Sequence, residues 1–171
     1  MKNLFIALFL IITIPAIGYN QTNYDTLPPY LKTKEIPNFN VLECNSTKGD
    51  SVWINNKSLP ANRPIVFVYF SPECSHCEYE TEEIKKYMDS LSNAFFIFVS
   101  YHPLEKIKEF YDKYGLAKYP NIRVGRDLKY FIPSFFRVEF TPFVGVYNKN
   151  QSFVKAYKSG ADMNELIGLV Q

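Results

Sequence analysis

The sequence predicts an α/β domain: a central mixed β-sheet with helices on both faces and a β-hairpin extension ahead of it. Three observations carry that prediction. Two short runs rich in β-branched and aromatic residues, 65–70 and 94–100, read as buried strands because they are apolar throughout and too short to be helices. Between and after them apolar residues recur at helical spacing, which gives a β-α-β unit. The chain then closes with two strands around a turn and a last helix, a β-β-α unit, and the two units together imply one mixed sheet.

Taken in order, residues 19–37 are polar, contain Pro28-Pro29 and follow neither strand nor helix periodicity, so they read as an extended linker. Phe39–Cys44 and Ser51–Ile54 form the hairpin, joined by a turn-rich stretch that includes Gly49-Asp50. Ile65–Phe70 is the first central strand. From about residue 75 to 91, Ile84, Tyr87, Met88 and Leu91 mark a helix, with Glu78, Glu80, Glu82 and Glu83 ahead of Lys85 and Lys86 in the order the helix dipole favours. Ala94–Ser100 is the second strand, and Leu104, Ile107, Tyr111 and Tyr114 mark a helix that ends near Gly115. Residues 118–136 are ambiguous, offering a short strand at Asn121–Val124 and a short helix and loop at Leu128–Phe136. Phe143–Tyr147 and Ser152–Tyr157 form the closing hairpin, and Met163, Leu166, Ile167 and Val170 the final helix.

Composition narrows the function classes. The 171 residues are 47% apolar, with 15 Phe, 13 Tyr and 1 Trp, which describes an aromatic-rich globular chain long enough to bury a core without disulfide staples. A net charge of +2 gives no electrostatic case for nucleic-acid binding. Met1-Lys2-Asn3, the apolar run Leu4–Ile17 and the small-x-small ending Ala16-Ile17-Gly18 read as a secretory signal peptide over residues 1–18. The run falls short of the roughly 20 residues a membrane-spanning helix needs. The expected location is therefore outside the cytosol, periplasmic or extracytoplasmic, where a dithiol meets oxidised partners.

The chemistry gathers at Cys74-Ser75-His76-Cys77, directly after the first strand. A strand-to-helix junction offers a thiol free backbone N–H groups and the positive end of the helix dipole, so Cys74 is expected to ionise readily. Cys77, one turn on, is placed to attack a mixed disulfide at Cys74 and release the partner. No organic cofactor and no metal are called for by this reading. A protonated His76 would help the Cys74 thiolate, whereas the carboxylate of Glu73 would oppose it.

The Cys-x-x-Cys after the first strand and Thr141-Pro142 just before the closing hairpin make residues 38–171 resemble the thioredoxin superfamily, and within it the extracytoplasmic TlpA/ResA-like thioredoxin-like proteins. The resemblance implies a thioredoxin fold and a thiol–disulfide oxidoreductase, with Cys74 as nucleophile and Cys77 as resolving cysteine. It implies a cis-proline at Pro142, with Thr141 facing the dithiol and pairing with substrate. It also implies protein disulfides as substrates and a membrane electron donor of the DsbD type. His76 gives the motif a likeness to the DsbA-type oxidases. Thioredoxin's buried acid is replaced by Val68 and its tryptophan by Glu73, so a proton-transferring acid must come from elsewhere. Glu80 is the candidate, on the inward side of its helix and at the offset where ResA-like reductases carry a glutamate. The expected direction is reductive, although His76 and Glu73 pull Cys74 in opposite senses.

Other readings compete. Cys44 and His102 with the two motif cysteines could make a Cys3His zinc set, though without regular knuckle spacing. Copper delivery through soft sulfur and imidazole is a binding-class alternative, but Sco-type proteins space their cysteines one residue wider. A peroxiredoxin pattern would need Pro at position 67 and Thr at 71, where the chain has Phe67 and Ser71. A non-catalytic interaction domain would retain partner binding after Cys74→Ser. Cys44 is expected to be a buried, inert thiol. Of the aromatic set Tyr130, Phe131, Phe135, Phe136, Phe140 and Phe143, most members are expected in the core and one or two along a substrate groove.

Overall fold

The computed structural model describes residues 26–46 and 49–171. The expected signal peptide lies outside the described residues. Seven strands form one sheet in the order β2-β1-β5-β4-β3-β6-β7. They span Asn40–Glu43 (β1), Trp53–Asn55 (β2), Ile65–Tyr69 (β3), Phe95–Ser100 (β4), Ile122–Arg126 (β5), Phe143–Tyr147 (β6) and Phe153–Tyr157 (β7). β3, β4 and β5 run parallel, while β6 and β7 on one side and β1 and β2 on the other run antiparallel to their neighbours. The sheet is mixed, as the sequence predicts.

Every residue of β3, β4 and β6 is buried, because both faces are covered. Alternation along the strands divides the core in two. Val66, Val68, Phe96, Phe98, Val144 and Val146 point to one face, and Ile65, Phe67, Tyr69, Ile97, Val99 and Tyr147 to the other. The first face is covered by the helices Ser75–Lys86 (α2), Met88–Leu91 (α3), Leu104–Lys113 (α4) and Met163–Val170 (α6) through Ile84, Met88, Leu91, Ile107, Phe110 and Leu166. The second carries the short helices Pro29–Lys32 (α1) and Phe131–Phe136 (α5) over a layer of aromatic rings.

Three features differ from the sequence reading or resolve what it left open. The helix expected over 75–91 divides at Tyr87, which has φ −100° and ψ 15°. The N–H of Tyr87 still reaches the Glu83 carbonyl and its own carbonyl takes the Leu91 N–H, so Ile84, Met88 and Leu91 stay on one face. The ambiguous stretch yields β5, paired in parallel with β4 and antiparallel with β1, so the N-terminal hairpin extends the main sheet. Within residues 26–37, read as linker, α1 seats Tyr30 against Phe136 and Phe153 with ring centroids 5.5 and 5.0 Å apart, and the Phe153 N–H is 2.5 Å from the Lys34 carbonyl. One well-placed aromatic side chain is enough to tie such a segment down, and Tyr30 is only 5% exposed.

Candidate functional site

The pairing register brings several chain segments to a single edge of the sheet. Tyr69 of β3 lies opposite Val99 of β4 on one side and Phe143 of β6 on the other. The C-terminal ends of β3 and β4 and the N-terminal end of β6 therefore meet at one edge, carrying respectively Ser71–Cys74, His102 and Thr141-Pro142. In a parallel sheet this edge is where side chains from different loops converge.

Cys74 occupies the N-cap of α2 with extended backbone, φ −99° and ψ 116°, and its carbonyl accepts the N–H groups of Cys77 and Glu78 at 3.0 Å each. Cys74 is half-buried and Cys77 only 1% exposed. The two thiols consequently differ. Burial acts against ionisation of Cys74, but hydrogen bonds from Cys77, from the Thr141 side chain and from the His76 backbone outweigh it and hold the thiol below the ordinary cysteine value. Burial dominates at Cys77 and pushes its thiol up to about 12, opposed by the Ser71 N–H, which donates to its sulfur at 3.5 Å. The Thr141–Pro142 peptide is cis, and the Cys74 thiol donates to the Thr141 carbonyl at 3.6 Å.

Glu80, one turn beyond Cys77, points inward and is 4% exposed. Its Oε1 accepts the Ala161 N–H at 3.1 Å, while the Gly160 N–H donates to the Pro142 carbonyl at 3.0 Å. Gly160 has φ +97°, and a Cβ there would come within 2.9 Å of Glu80 Oε2 and 3.7 Å of the Pro142 ring. Helix α2, the Pro142 loop and the 160–161 turn thus close around one carboxyl group. Burial, against the Ala161 hydrogen bond, raises its pKa to about 7, so the group can change protonation near neutral pH.

Other expected participants fare differently. The side chains of His76 and Glu73 are both exposed, where water screens their charges, and His76 reaches Cys74 through its backbone N–H. Phe135, Phe136 and Phe143 belong to the core, while Phe140, Tyr130 and Phe131 are 67%, 51% and 36% exposed. Phe140 immediately precedes Thr141 and offers an apolar ring beside the dithiol edge. Cys44 is 2% exposed among core residues, and burial raises its thiol to about 12. Among the described residues no three His, Cys, Asp or Glu side chains form a group able to hold a metal, so the Cys3His set does not assemble.

Two residues at this edge went unassigned by the motif. Ser71 receives the Cys74 N–H on its carbonyl at 3.2 Å and the Glu73 N–H on its Oγ at 3.4 Å. Its Oγ lies 3.4 Å from His102 Nε2, and Ser100 Oγ lies 3.0 Å from His102 Nδ1. The available signal was positional: residues just past the ends of two adjacent parallel strands lie side by side, whatever their distance in sequence.

No protein-family model matches the chain, and no curated protein does. Solved structures do. A secreted disulfide oxidoreductase of Mycobacterium tuberculosis, homologous to E. coli DsbE, superposes with a TM-score of 0.59 at 19% identity, over 77% of this chain and 92% of that one. A thioredoxin-like protein from Porphyromonas gingivalis gives 0.62 at 22% identity, over 80% and 89% of the two chains. A peroxiredoxin-like protein from Aquifex aeolicus gives 0.60 at 14% identity, over 80% and 83%. Likeness at these identities establishes a thioredoxin-like fold, and the same fold serves different thiol chemistries.

Proposed function

We propose that this thioredoxin-fold chain is a thiol–disulfide oxidoreductase acting on protein disulfides, exported by its N-terminal segment and working in the reductive direction. The observation that carries the reading is the asymmetry of the two thiols: a half-buried Cys74 held below the ordinary cysteine value at a helix start, beside a buried Cys77 raised to about 12. The first is the readier nucleophile of the two, and the second waits as a thiol.

In the reaction the Cys74 thiolate attacks one sulfur of a substrate disulfide. That S–S bond breaks, the leaving sulfur takes the electron pair and then a proton, and a mixed disulfide remains on Cys74. Cys77 loses its proton and attacks the Cys74 sulfur, which releases the second substrate thiolate and leaves a Cys74–Cys77 disulfide. The substrate gains two electrons and the protein loses two. Glu80 is the group assigned to exchange the proton at Cys77, since its carboxyl changes state near pH 7. Thr141 and Phe140 would meet the substrate backbone and an adjoining apolar side chain. A membrane dithiol donor of the DsbD type would restore the reduced pair.

Cys74→Ser is expected to abolish reduction of a disulfide-bonded protein, and retained turnover would overturn the mechanism. Cys77→Ser is expected to accumulate a mixed disulfide through Cys74, visible on a non-reducing gel. Equilibration with glutathione tests the direction: a potential close to about −270 mV supports a reductase, and one close to about −120 mV an oxidase.

A further inference from the structure

We infer that His102 is a positioning residue for the resolving half of the dithiol, acting through Ser71. The inference rests on the oxidoreductase reading of the Cys74–Cys77 pair and adds a residue from outside the motif.

Ser71 is the node between the two. Its N–H donates to Cys77 Sγ at 3.5 Å, its carbonyl takes the Cys74 N–H at 3.2 Å, and its Oγ takes the Glu73 N–H at 3.4 Å. The loop Ser71–Cys74 is therefore oriented largely by where Ser71 is held, and the outside contact of its side chain is His102 Nε2 at 3.4 Å. His102 is itself fixed. Ser100, fully buried at the end of β4, faces its Nδ1 at 3.0 Å and accepts its backbone N–H at 3.4 Å. The Tyr101 ring packs on the imidazole with centroids 4.3 Å apart and is in turn met edge-on by Tyr130 at 5.6 Å. An imidazole that bridges two hydroxyls with its two nitrogens ties the cysteine loop to the neighbouring strand. The hydrogen bond it keeps aligned favours the Cys77 thiolate against the cost of burial, which is the form that must attack.

Reaction of the reduced full-length chain with 5,5′-dithiobis(2-nitrobenzoate) separates the two halves. Cys74 attacks the reagent and releases one thionitrobenzoate. Cys77 then gives up its proton through Glu80, the group assigned to that exchange, and attacks the Cys74 sulfur of the mixed disulfide, which forms the Cys74–Cys77 bond and expels the second thionitrobenzoate with the electron pair. His102→Ala is expected to slow the second release by about five-fold, the worth of one hydrogen bond, while the first stays within about two-fold. Ser71→Ala should slow the second release similarly, and His102→Ala/Ser71→Ala no more than either alone, since both act through one contact. His102→Gln, whose amide nitrogen can stand where Nε2 does, should restore most of the rate, whereas His102→Asn, which can replace only Nδ1, should behave like the alanine variant.

An unchanged second release in His102→Ala, or equal rates for His102→Gln and His102→Asn, would overturn the inference while the two-step reading stands. Failure of the native chain to release a second equivalent would overturn both.

Discussion

At Cys74 and Cys77 the same two side chains, three residues apart, face opposite electrostatic circumstances. The helix start gives Cys74 donors that favour its thiolate, and burial takes that advantage from Cys77. Because the folded Cys74 thiol is held below its ordinary value, its contribution to stability is present above the unfolded pKa and is lost as pH falls through the folded one. Alkylation of the native chain should accordingly reach half its maximal rate at a lower pH than alkylation of the chain in denaturant; coincident profiles would contradict the assignment. Glu80 has the reverse sign. Its pKa rises from 4.5 to about 7, so its contribution is full below the unfolded pKa and is lost as pH rises through 7. Glu80→Gln should therefore gain stability over the native chain as pH rises, by up to about 3 kcal/mol above neutrality, with no gain under acid conditions. Urea titrations at several pH values would check it, and a gap independent of pH would refute the buried carboxyl.

At the scale of elements, β5 joins the N-terminal hairpin to the core, and Gly125 is the residue that permits the approach. A Cβ on Gly125 would lie 2.5 Å from the Leu42 carbonyl oxygen and 2.6 Å from Val41 Cγ1, contacts with the neighbouring strand that cannot swing aside. Gly125→Ala should cost about 1–3 kcal/mol. Gly168, inside α6, meets nothing within 4 Å, so Gly168→Ala should raise stability by roughly 0.5–1 kcal/mol through helix propensity. Thermal melts of the pair give opposite shifts if the hairpin is an integral strand pair. Asp127, 2% exposed just after β5, does similar work for the next loop, accepting the N–H groups of Lys129 at 3.0 Å and Ile132 at 2.7 Å. That turn sets Tyr130 beside Tyr101, so an acid in an unpromising loop shapes the rim of the dithiol edge.

For the molecule as a whole, the segment ahead of β1 is part of the packed unit. Tyr30→Ala should cost about 3 kcal/mol, as loss of a buried aromatic side chain does, measured as a shift in the urea midpoint; an unchanged midpoint would return the segment to the status of a tether. The sheet, most helices, and the dithiol at a strand-to-helix junction were legible in the sequence, because burial on both faces and helical periodicity leave local patterns. Cys74 and Cys77 were legible because their chemistry depends on spacing along one element. Local pattern could not show that Tyr30 reaches the aromatic layer, that 122–126 pairs with both β4 and β1, or that His102 meets Ser71 across two parallel strands. Helical spacing placed Glu80 on the inward side, but it could not tell that Pro142, Gly160 and Ala161 enclose it or that His76 and Glu73 face water. Contacts between residues far apart in sequence are set by strand order and register, and burial, which decides a pKa, exists only once the layers have packed.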